Sequence, residues 1–153
     1  MIFEKVSLVT GGFDPIHSGH IRYFERAKYF SDYLIVGLNT NEWLTKKKGQ
    51  YFLPWTERAE IIRHLDMVDA VISWDDDEQG SACGAIRKCL DIADTIVFCN
   101  GGDRGKQNTP EVIGYGENHR VQFEYGVGGE DKKNSSSWIL RDYFDRQRKL
   151  LGI

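Results

Sequence analysis

The chain has few cysteines and no long apolar run, and these shortages exclude several classes of protein. Its three cysteines, Cys83, Cys89 and Cys99, are odd in number and lack C-x-x-C spacing, which argues against a disulfide framework and a zinc site. We expect reduced, mostly buried thiols. No apolar run is long enough to cross a bilayer, and no basic lead precedes an apolar stretch at the amino terminus. The sequence therefore predicts a cytoplasmic protein that does not enter a membrane.

The chain also lacks an excess of positive charge. Its formal net charge is -3, so nothing in the overall charge favours a nucleic acid or an anionic membrane as partner. Neither a G-x-x-x-x-G-K-[ST] motif nor a G-x-G-x-x-G motif after the first strand occurs, which disfavours P-loop chemistry and ordinary dinucleotide binding. Any anion site must therefore be local and of another kind.

What is present fits one α/β domain over residues 1–153, with a hydrophobic content of 41%. Short apolar runs alternate with helical patterns, which predicts a Rossmann-like parallel sheet with helices on both faces. The predicted strands are Phe3–Val9, Tyr33–Leu38, Val68–Trp74, Thr95–Cys99 and Val121–Tyr125. Four helices are predicted. The first follows His20, the third spans Ser81–Asp91, and the fourth runs from Ser135–Ser137 to Leu151. The second runs from an N-cap at Thr56 to His64, with Ile61, Ile62 and Leu65 facing the core. We expect a loop over Asn39–Leu53 and irregular structure over residues 104–120.

The most informative segment joins the first strand to the first helix. It reads Gly11-Gly12-Phe13-Asp14-Pro15-Ile16-His17-Ser18-Gly19-His20. At such a strand-to-helix junction the free N–H groups and the dipole of the helix favour an anion, and two imidazoles can add hydrogen bonds to phosphate oxygens. The alternative is that both histidines only fill a turn.

Three further segments also fall beside predicted strand or helix ends. Gly101-Gly102-Asp103 follows the fourth strand, Lys46-Lys47-Lys48 lies in the loop after the second, and Ser135-Ser136-Ser137 precedes the last helix. Read alone, these are compatible with a plain turn, a solvated loop and a helix cap. Together with His17 and His20, the first two of these segments suggest a site for a nucleoside triphosphate.

These segments resemble the cytidylyltransferase-like nucleotidyltransferase family. Its glycerol-3-phosphate cytidylyltransferases and heptose-phosphate adenylyltransferases share a G-x-F-D-x-x-H-x-G-H opening. Trp55-Thr56-Glu57-Arg58 and Asn134-Ser135-Ser136-Ser137 are similar to the arginine-bearing helix start and the C-terminal serine/threonine motif of that family. The resemblance implies transfer of a nucleotidyl group from a nucleoside triphosphate to a small phosphate ester, with release of pyrophosphate, an Mg²⁺ cofactor and a homodimer.

The resemblance also implies roles for individual residues. His17 and His20 donate to the α and β phosphates, one of the three lysines, with Lys46 the first choice, reaches a phosphate, and Arg58 holds the acceptor or a phosphate. Without the resemblance, Arg58 could equally form a surface ion pair with Glu57 or Glu60. Gly101 and Gly102 approach the base or ribose, and Asp103 accepts from a ribose hydroxyl or positions the metal. The remaining predicted nucleotide-binding residues are Gly11, Gly12, Phe13, Asp14, Gly19, Ser135, Ser136 and Ser137.

The identity of the donor stays open. Glycerol-3-phosphate cytidylyltransferases carry a threonine where this chain has Gly12, and the Gly-Gly-Asp turn is closer to the heptose-type adenylyltransferases. We favour CMP from CTP, with AMP from ATP as the alternative, and a sugar, polyol or similar phosphate as acceptor. Two other functions fit the sequence, an adenylyltransferase for a cofactor precursor and a regulatory module that binds nucleotide without catalysis.

No metal ligands are assigned. The run Asp75 to Glu78 is interpreted as a solvated turn, because adjacent carboxylates in a polar segment are usually hydrated. His64 and His119 are interpreted as structural or surface residues.

Overall fold

The computed structural model describes residues 2–102, 104–105, 108–129 and 135–153. Five parallel strands form one sheet in the order β3-β2-β1-β4-β5. The strands are β1 (Phe3–Gly11), β2 (Leu34–Asn39), β3 (Ala70–Trp74), β4 (Ala93–Cys99) and β5 (Val121–Glu124). The helices are α1 (Ser18–Lys28), α2 (Asn41–Lys48), α3 (Trp55–Arg63), α4 (Cys83–Leu90), α5 (Glu111–Tyr115) and α6 (Ser136–Leu151). The predicted α/β architecture with a parallel sheet is confirmed.

Two core clusters cover the sheet. One joins the sheet to α1 and α3 through side chains such as Phe24 and Ile62, and the other joins it to α4 through side chains such as Ile86. Strand β1 lies in the centre, and its Val6, Leu8 and Val9 are fully buried. A strand buried on both faces reads as a continuous apolar run, which is why β1 was evident in the sequence.

The strand order reverses at β1, since the chain moves to β2 and β3 on one side and to β4 and β5 on the other. In open parallel sheets the crevice at such a reversal, outside the carboxyl ends of the strands, is where ligands bind. The segment after Gly11 leaves the sheet at this point.

Two predictions of irregular structure are wrong. The segment expected to be a loop contains α2, which begins after Thr40, whose side chain accepts from the backbone N–H of Trp43 at 3.1 Å. It ends at Gly49, which has a φ of 89° and so takes the left-handed conformation that suits glycine. Residues 104–120, expected to be irregular, contain the short helix α5.

The third helix also differs from the prediction. It starts at Trp55 after an N-cap at Pro54, so Thr56 lies inside the first turn and is not the cap. Ile61 is 39% exposed, whereas Ile62 is fully buried, so only the latter points to the core as predicted. Because a helix has 3.6 residues per turn, adjacent residues lie about 100° apart around its axis, so Ile61 faces solvent when Ile62 faces the core.

All three cysteines lie in the described part of the chain and are free thiols. Burial raises the pKa of both Cys89 and Cys99 to about 12, so neither forms a thiolate at neutral pH. Among the described residues, no helix has the length and apolar character needed to cross a membrane.

Candidate active site

His17 and His20 form the start of α1 together. The side chain of His17 is the N-cap, and its Nδ1 accepts from the backbone N–H of Gly19 at 3.0 Å. In return, Nδ1 of His20 accepts from the backbone N–H of His17 at 3.2 Å. The two rings stack with centroids 3.7 Å apart. Two histidines therefore do here what a serine and a glutamate do in an ordinary capping box.

These bonds decide which nitrogen of each ring carries the proton. A neutral imidazole has one N–H group, and a ring nitrogen that accepts a hydrogen bond is not protonated. Since Nδ1 of His17 and Nδ1 of His20 both accept from backbone N–H groups, the proton of each ring lies on Nε2. Each ring can therefore donate from Nε2 to an anion.

His20 is held neutral by its surroundings. Burial, together with the nearby His17 and Lys48, lowers the pKa of His20 from 6.5 to about 3. The ring of Phe13 packs edge-on against the His20 ring, with centroids 4.8 Å apart. His20 can therefore donate a hydrogen bond at neutral pH without carrying charge.

Phe13 has a supporting position in the core. It is 7% exposed, and its ring also packs edge-on against Phe24. Its φ of 48° lies in the left-handed region, which non-glycine residues seldom adopt. A Cβ on Gly11 would lie 3.0 Å from the Phe13 ring, so Gly11 leaves room for it. The structure thus places Phe13 beneath His20, where the sequence had predicted a residue that binds nucleotide.

The other two glycines of the motif allow close approaches. A Cβ on Gly19 would lie 2.8 Å from Cε1 of His17, so the His17 ring can cap α1 only over a glycine. A Cβ on Gly12 would lie 2.8 Å from Cδ2 of Leu44, a buried residue of α2. Leu44 therefore fills the space next to Gly12, where glycerol-3-phosphate cytidylyltransferases carry threonine.

Asp14 connects the motif to the segment before α3. Its two carboxylate oxygens accept from the backbone N–H groups of Phe52 at 2.6 Å and Leu53 at 2.7 Å, and the side chain is 6% exposed. Both oxygens therefore already have partners within the chain, so Asp14 is placed as a residue that positions the motif.

Arg58 is also turned inward. It is 1% exposed, and its guanidinium donates to the carbonyl oxygens of Leu53, Gly12 and Asn39 and to Oδ1 of Asn41, at 2.8 to 2.9 Å. Burial lowers its pKa, and the charge of Asp14 opposes that effect. Arg58 thus ties the ends of β1 and β2 to the start of α2. This arrangement differs from the predicted contact with a phosphate and from a surface ion pair.

The lysine run forms the last turn of α2. Lys47 and Lys48 line a cavity of about 330 Å³ at the carboxyl ends of β1, β2 and β3, whereas Lys46 does not line it. The ammonium group of Lys47 lies 4.6 Å from the centre of the Trp43 ring, a cation–π contact. Of the three lysines, Lys47 and Lys48 thus line this cavity, whereas Lys46, our first choice for a phosphate contact, does not.

The serine segment begins α6 close to the histidine motif. Ser135 is the N-cap and accepts from the backbone N–H of Trp138 at 3.0 Å. The hydroxyl of Ser136 donates to the carbonyl oxygen of Pro15 at 2.7 Å, and Ser137 is exposed. The N-terminus of α6 therefore lies against the loop that carries His17.

The β4 turn lies on the other side of β1. A Cβ on Gly101 would lie 3.3 Å from the Tyr23 ring, and Gly102 has a φ of 60°. Tyr23 is in α1, and its hydroxyl donates to the carbonyl oxygen of Cys99. The turn is thereby fixed against the helix that carries both histidines. Asp103 lies outside the described residues.

The aspartates after β3 have structural partners. The carboxylate of Asp75 accepts from the backbone N–H of Thr40 at 3.0 Å and from its hydroxyl at 2.8 Å. Asp77 accepts from the backbone N–H of Ser81 at 2.9 Å. In the described ranges, no three His, Cys, Asp or Glu side chains are arranged to hold a metal ion.

Sequence reasoning missed several residues of the cavity. Its walls include Trp74 at the end of β3, Asp76 after it, Arg104 after β4 and Glu111 in α5. They come from separate segments that the fold brings together, so no spacing in the sequence links them. No sequence signal marked Glu111, because its 1% exposure, which requires a partner for its carboxylate, is a property of the folded chain.

Comparison with known proteins agrees with this geometry. The family model described as cytidylyltransferase-like matches residues 8–135. The bifunctional protein HldE of Citrifermentans bemidjiense is 40% identical over 144 residues, which cover 92% of this chain and 28% of that protein. HldE of Geobacter metallireducens is 30% identical over 145 residues, again covering 92% of this chain and 28% of that protein. The chain thus spans about 28% of the length of these curated relatives.

Solved structures share the fold. A lipopolysaccharide core biosynthesis protein from Thermoplasma volcanium superposes with a TM-score of 0.58 at 21% identity, over 84% of this chain and 98% of that one. A macrolide-efflux protein from Streptococcus pneumoniae gives a TM-score of 0.56 at 21% identity, over 92% of this chain and 51% of that one. At this identity the likeness concerns the fold alone.

Proposed function

Since this chain belongs to the cytidylyltransferase-like family and is a nucleotidyltransferase, we propose that it transfers AMP or CMP from the triphosphate to a small phosphate ester. Pyrophosphate is the second product. The observation that carries this proposal is the pair of Nε2–H donors that His17 and His20 present at the N-terminus of α1.

The reaction requires stabilised charge more than a nucleophilic side chain. A phosphate oxygen of the acceptor attacks the α-phosphorus, the new P–O bond forms, and the bond to the bridging oxygen of pyrophosphate breaks. Negative charge grows on the non-bridging oxygens and on the leaving group. The acceptor phosphate is already ionised near neutral pH, so no general base is needed. Preorganised donors such as the two imidazoles and the N–H groups of α1 suit this transition state.

Two other groups of residues add to the phosphate site. Lys47 and Lys48 bring positive charge from α2, and Lys48 is close enough to influence the pKa of His20. The N-terminus of α6 approaches from the opposite end of the chain through Ser135, Ser136 and Ser137 and offers N–H and hydroxyl donors to the β and γ phosphates.

We take ATP as the first donor to test. The resemblance of Gly101-Gly102-Asp103 to the heptose-type turn and the similarity to HldE chains favour ATP. Leu44 packs in the space beside Gly12, where the glycerol-3-phosphate enzymes carry threonine, and this departure from their pattern also favours ATP. CTP remains the alternative donor.

Mg²⁺ is part of the proposal. Mg²⁺ commonly uses one or two carboxylates and otherwise phosphate oxygens and water. The described residues fit such an ion, because Asp76 gives one carboxylate at the cavity and the phosphates of the nucleotide would complete the shell. The ion supplies charge neutralisation on the triphosphate when it is bound.

The test is release of pyrophosphate. Purified protein is incubated with ATP, CTP, GTP or UTP, with Mg²⁺ and with a panel of sugar and polyol phosphates. We expect pyrophosphate release with at least one pair of triphosphate and acceptor. For His17→Ala and for His20→Ala we expect the rate to fall about 100-fold or more, with the fold intact. His64→Ala is the matched control, because His64 is exposed and its Nδ1 contacts the helix carbonyl of Glu60 at 2.8 Å.

The outcomes separate the candidate functions. Full activity of a double His17→Ala, His20→Ala variant would contradict the proposed role of the imidazoles. Binding of triphosphate by calorimetry without pyrophosphate release from any pair would identify a regulatory module. Turnover with phosphopantetheine or flavin mononucleotide alone would identify an adenylyltransferase for a cofactor precursor.

A further inference from the structure

Arg104 follows the Gly101-Gly102 turn after β4, yet its side chain lines the cavity at the carboxyl ends of β1, β2 and β3. The sheet has β4 on one side of β1 and both β2 and β3 on the other side. Arg104 therefore reaches across the end of β1, at the crevice where the strand order reverses. Gly11 and Gly12, with which the histidine motif begins, line the same cavity.

A buried carboxylate holds the Arg104 side chain in this position. Glu111 in α5 is 1% exposed. Its Oε1 accepts from the backbone N–H of Ala82 at 2.8 Å, and its Oε2 accepts from Nη2 of Arg104 at 2.9 Å. Ala82 is the N-cap of α4, so Glu111 is itself fixed to that helix. Because one oxygen of Glu111 is held by α4, the other orients the guanidinium before any ligand binds.

The Arg104 guanidinium keeps donors for a ligand. A guanidinium has several N–H groups in a planar fork, and with described residues its one hydrogen bond is that to Glu111. The side chain is 33% exposed, so a ligand can reach it. Burial and Cys99 raise the pKa of Tyr23 in α1, and the charge of Arg104 opposes them. Arg104 thus lies within electrostatic reach of the helix that carries His20.

Nucleotidyl transfer needs a cation at such a place. The acceptor phosphate must approach the α-phosphate although both are anionic, and charge grows on the non-bridging oxygens as the new P–O bond forms. A cation between the two groups reduces their repulsion and stabilises that charge. Arginine suits the position better than lysine, because its planar fork can donate to two oxygens at once.

We propose that Arg104 is a catalytic residue that contacts both reacting phosphates. It donates one N–H to a non-bridging oxygen of the α-phosphate and another to an oxygen of the acceptor phosphate, while the new P–O bond forms and the bond to pyrophosphate breaks. Arg104 keeps all its protons throughout. Glu111 is a positioning residue that acts through Arg104. This inference rests on the proposed nucleotidyl transfer.

The alternative is that Arg104 only neutralises a buried carboxylate, and a double variant separates the two roles. Arg104→Gln alone leaves Glu111 charged and unpaired, so we expect it to lose stability in urea as well as activity. Arg104→Gln combined with Glu111→Gln removes both charges. We expect this double variant to be more stable than Arg104→Gln, and its pyrophosphate release to stay as low.

Pyrophosphate release is measured with Mg²⁺, ATP or CTP, and glycerol 3-phosphate, ribose 5-phosphate, glucose 1-phosphate or mannose 1-phosphate, and the pair with the highest wild-type rate is used. For the double variant we expect kcat to fall about 100-fold or more, with KM for both substrates within about threefold of wild type. Arg104→Lys keeps the pair with Glu111 but lacks the fork. We expect it to be as stable as wild type and about 10-fold slower or more.

Arg87→Gln is the matched control, an exposed change in α4 that should alter neither stability nor rate. Three results would overturn the inference. They are recovery of both stability and rate in the double variant, full activity of Arg104→Lys, and a raised KM for the acceptor with unchanged kcat. Wild type that releases no pyrophosphate with any pair would instead refute the proposed function, and this inference with it.

Discussion

At the scale of single residues, His20 links the site to the pH dependence of stability. The pKa of His20 is lowered from 6.5 to about 3 in the fold, mainly by burial. Between these two values the unfolded chain binds a proton that the folded chain does not, so this group makes stability fall as the pH drops from 6.5 towards 3. His20→Asn keeps an oxygen that can accept from His17 N–H but cannot titrate. We expect its stability to depend less on pH across this interval.

Urea unfolding at several pH values measures this effect. The matched control is His64→Asn, at an exposed position where the side chain lies on the surface. An identical pH slope for wild type and His20→Asn would contradict the prediction, because it would show that the pKa of His20 is the same in the folded and the unfolded chain.

The two histidines also show how much of the site could be predicted from residue types and spacing. Their types and spacing predicted an anion site, but the proton on Nε2 follows from which backbone N–H meets Nδ1, and that is a property of the folded turn. The lysines show the same limit. In three identical neighbours only the direction of each side chain on α2 separates Lys46 from Lys47 and Lys48.

At the scale of elements, Arg58 joins β1, β2 and α2. Arg58→Ala leaves several buried oxygens without donors, so we expect a loss of about 3 kcal/mol or more in the free energy of unfolding. Denaturant unfolding measures it. The control is Arg63→Ala, an exposed change at the end of the same helix, which should cost less than about 0.5 kcal/mol. A stable Arg58→Ala variant that lacks activity would instead support the direct phosphate contact.

The packing of α2 against β1 gives a second prediction at this scale. Gly12→Thr places a Cβ 2.8 Å from Cδ2 of Leu44, so we expect a loss of about 1 to 3 kcal/mol in stability. Adding Leu44→Ala opens the space. The double variant should therefore lose less than the sum of the two single changes, as measured by a double-mutant cycle in urea. Additive losses would mean that Leu44 does not limit the size of residue 12.

Elements with strong patterns were predictable and those with weak patterns were not. Strand β2 is buried at every position, from Leu34 to Asn39, and reads as an apolar run. By contrast, Leu44 is the one buried residue of the eight in α2, so no helical period of apolar residues marks that helix. The sequence signals of α2 were the N-cap at Thr40 and the C-cap at Gly49. Because the segment between them is rich in lysine, it was interpreted as a loop.

At the scale of the whole molecule, the predicted homodimer has a testable surface. Helix α6 is sixteen residues long and has no buried residue, and it exposes Trp138, Tyr143 and Phe144. Exposed large apolar side chains favour association. We expect sedimentation velocity to give a dimer mass for wild type and a monomer mass for Phe144→Arg. Ile2→Arg, at an exposed site outside α6, is the control. A wild-type monomer at micromolar concentration would contradict the prediction.

The cavity at the candidate site could not be predicted from the sequence. The parallel sheet follows from alternating strands and helices, but the cavity needs the strand order and the loop paths that set Asp76, Arg104 and Glu111 around the end of β1. Asp76 lies in the connection between β3 and β4, and Arg104 and Glu111 lie in the connection between β4 and β5. Sequence patterns and motifs are local, whereas the proximity of these three side chains depends on tertiary structure.

The hydrogen bond from Ser136 to Pro15 spans 121 positions of sequence. During synthesis the chain emerges from its amino terminus, so the histidine motif leaves the ribosome long before α6 exists. Both sides of the proposed phosphate site are present together only after the last helix has been made. We therefore expect an incomplete chain that lacks α6 to bind a triphosphate more weakly than the chain that contains it.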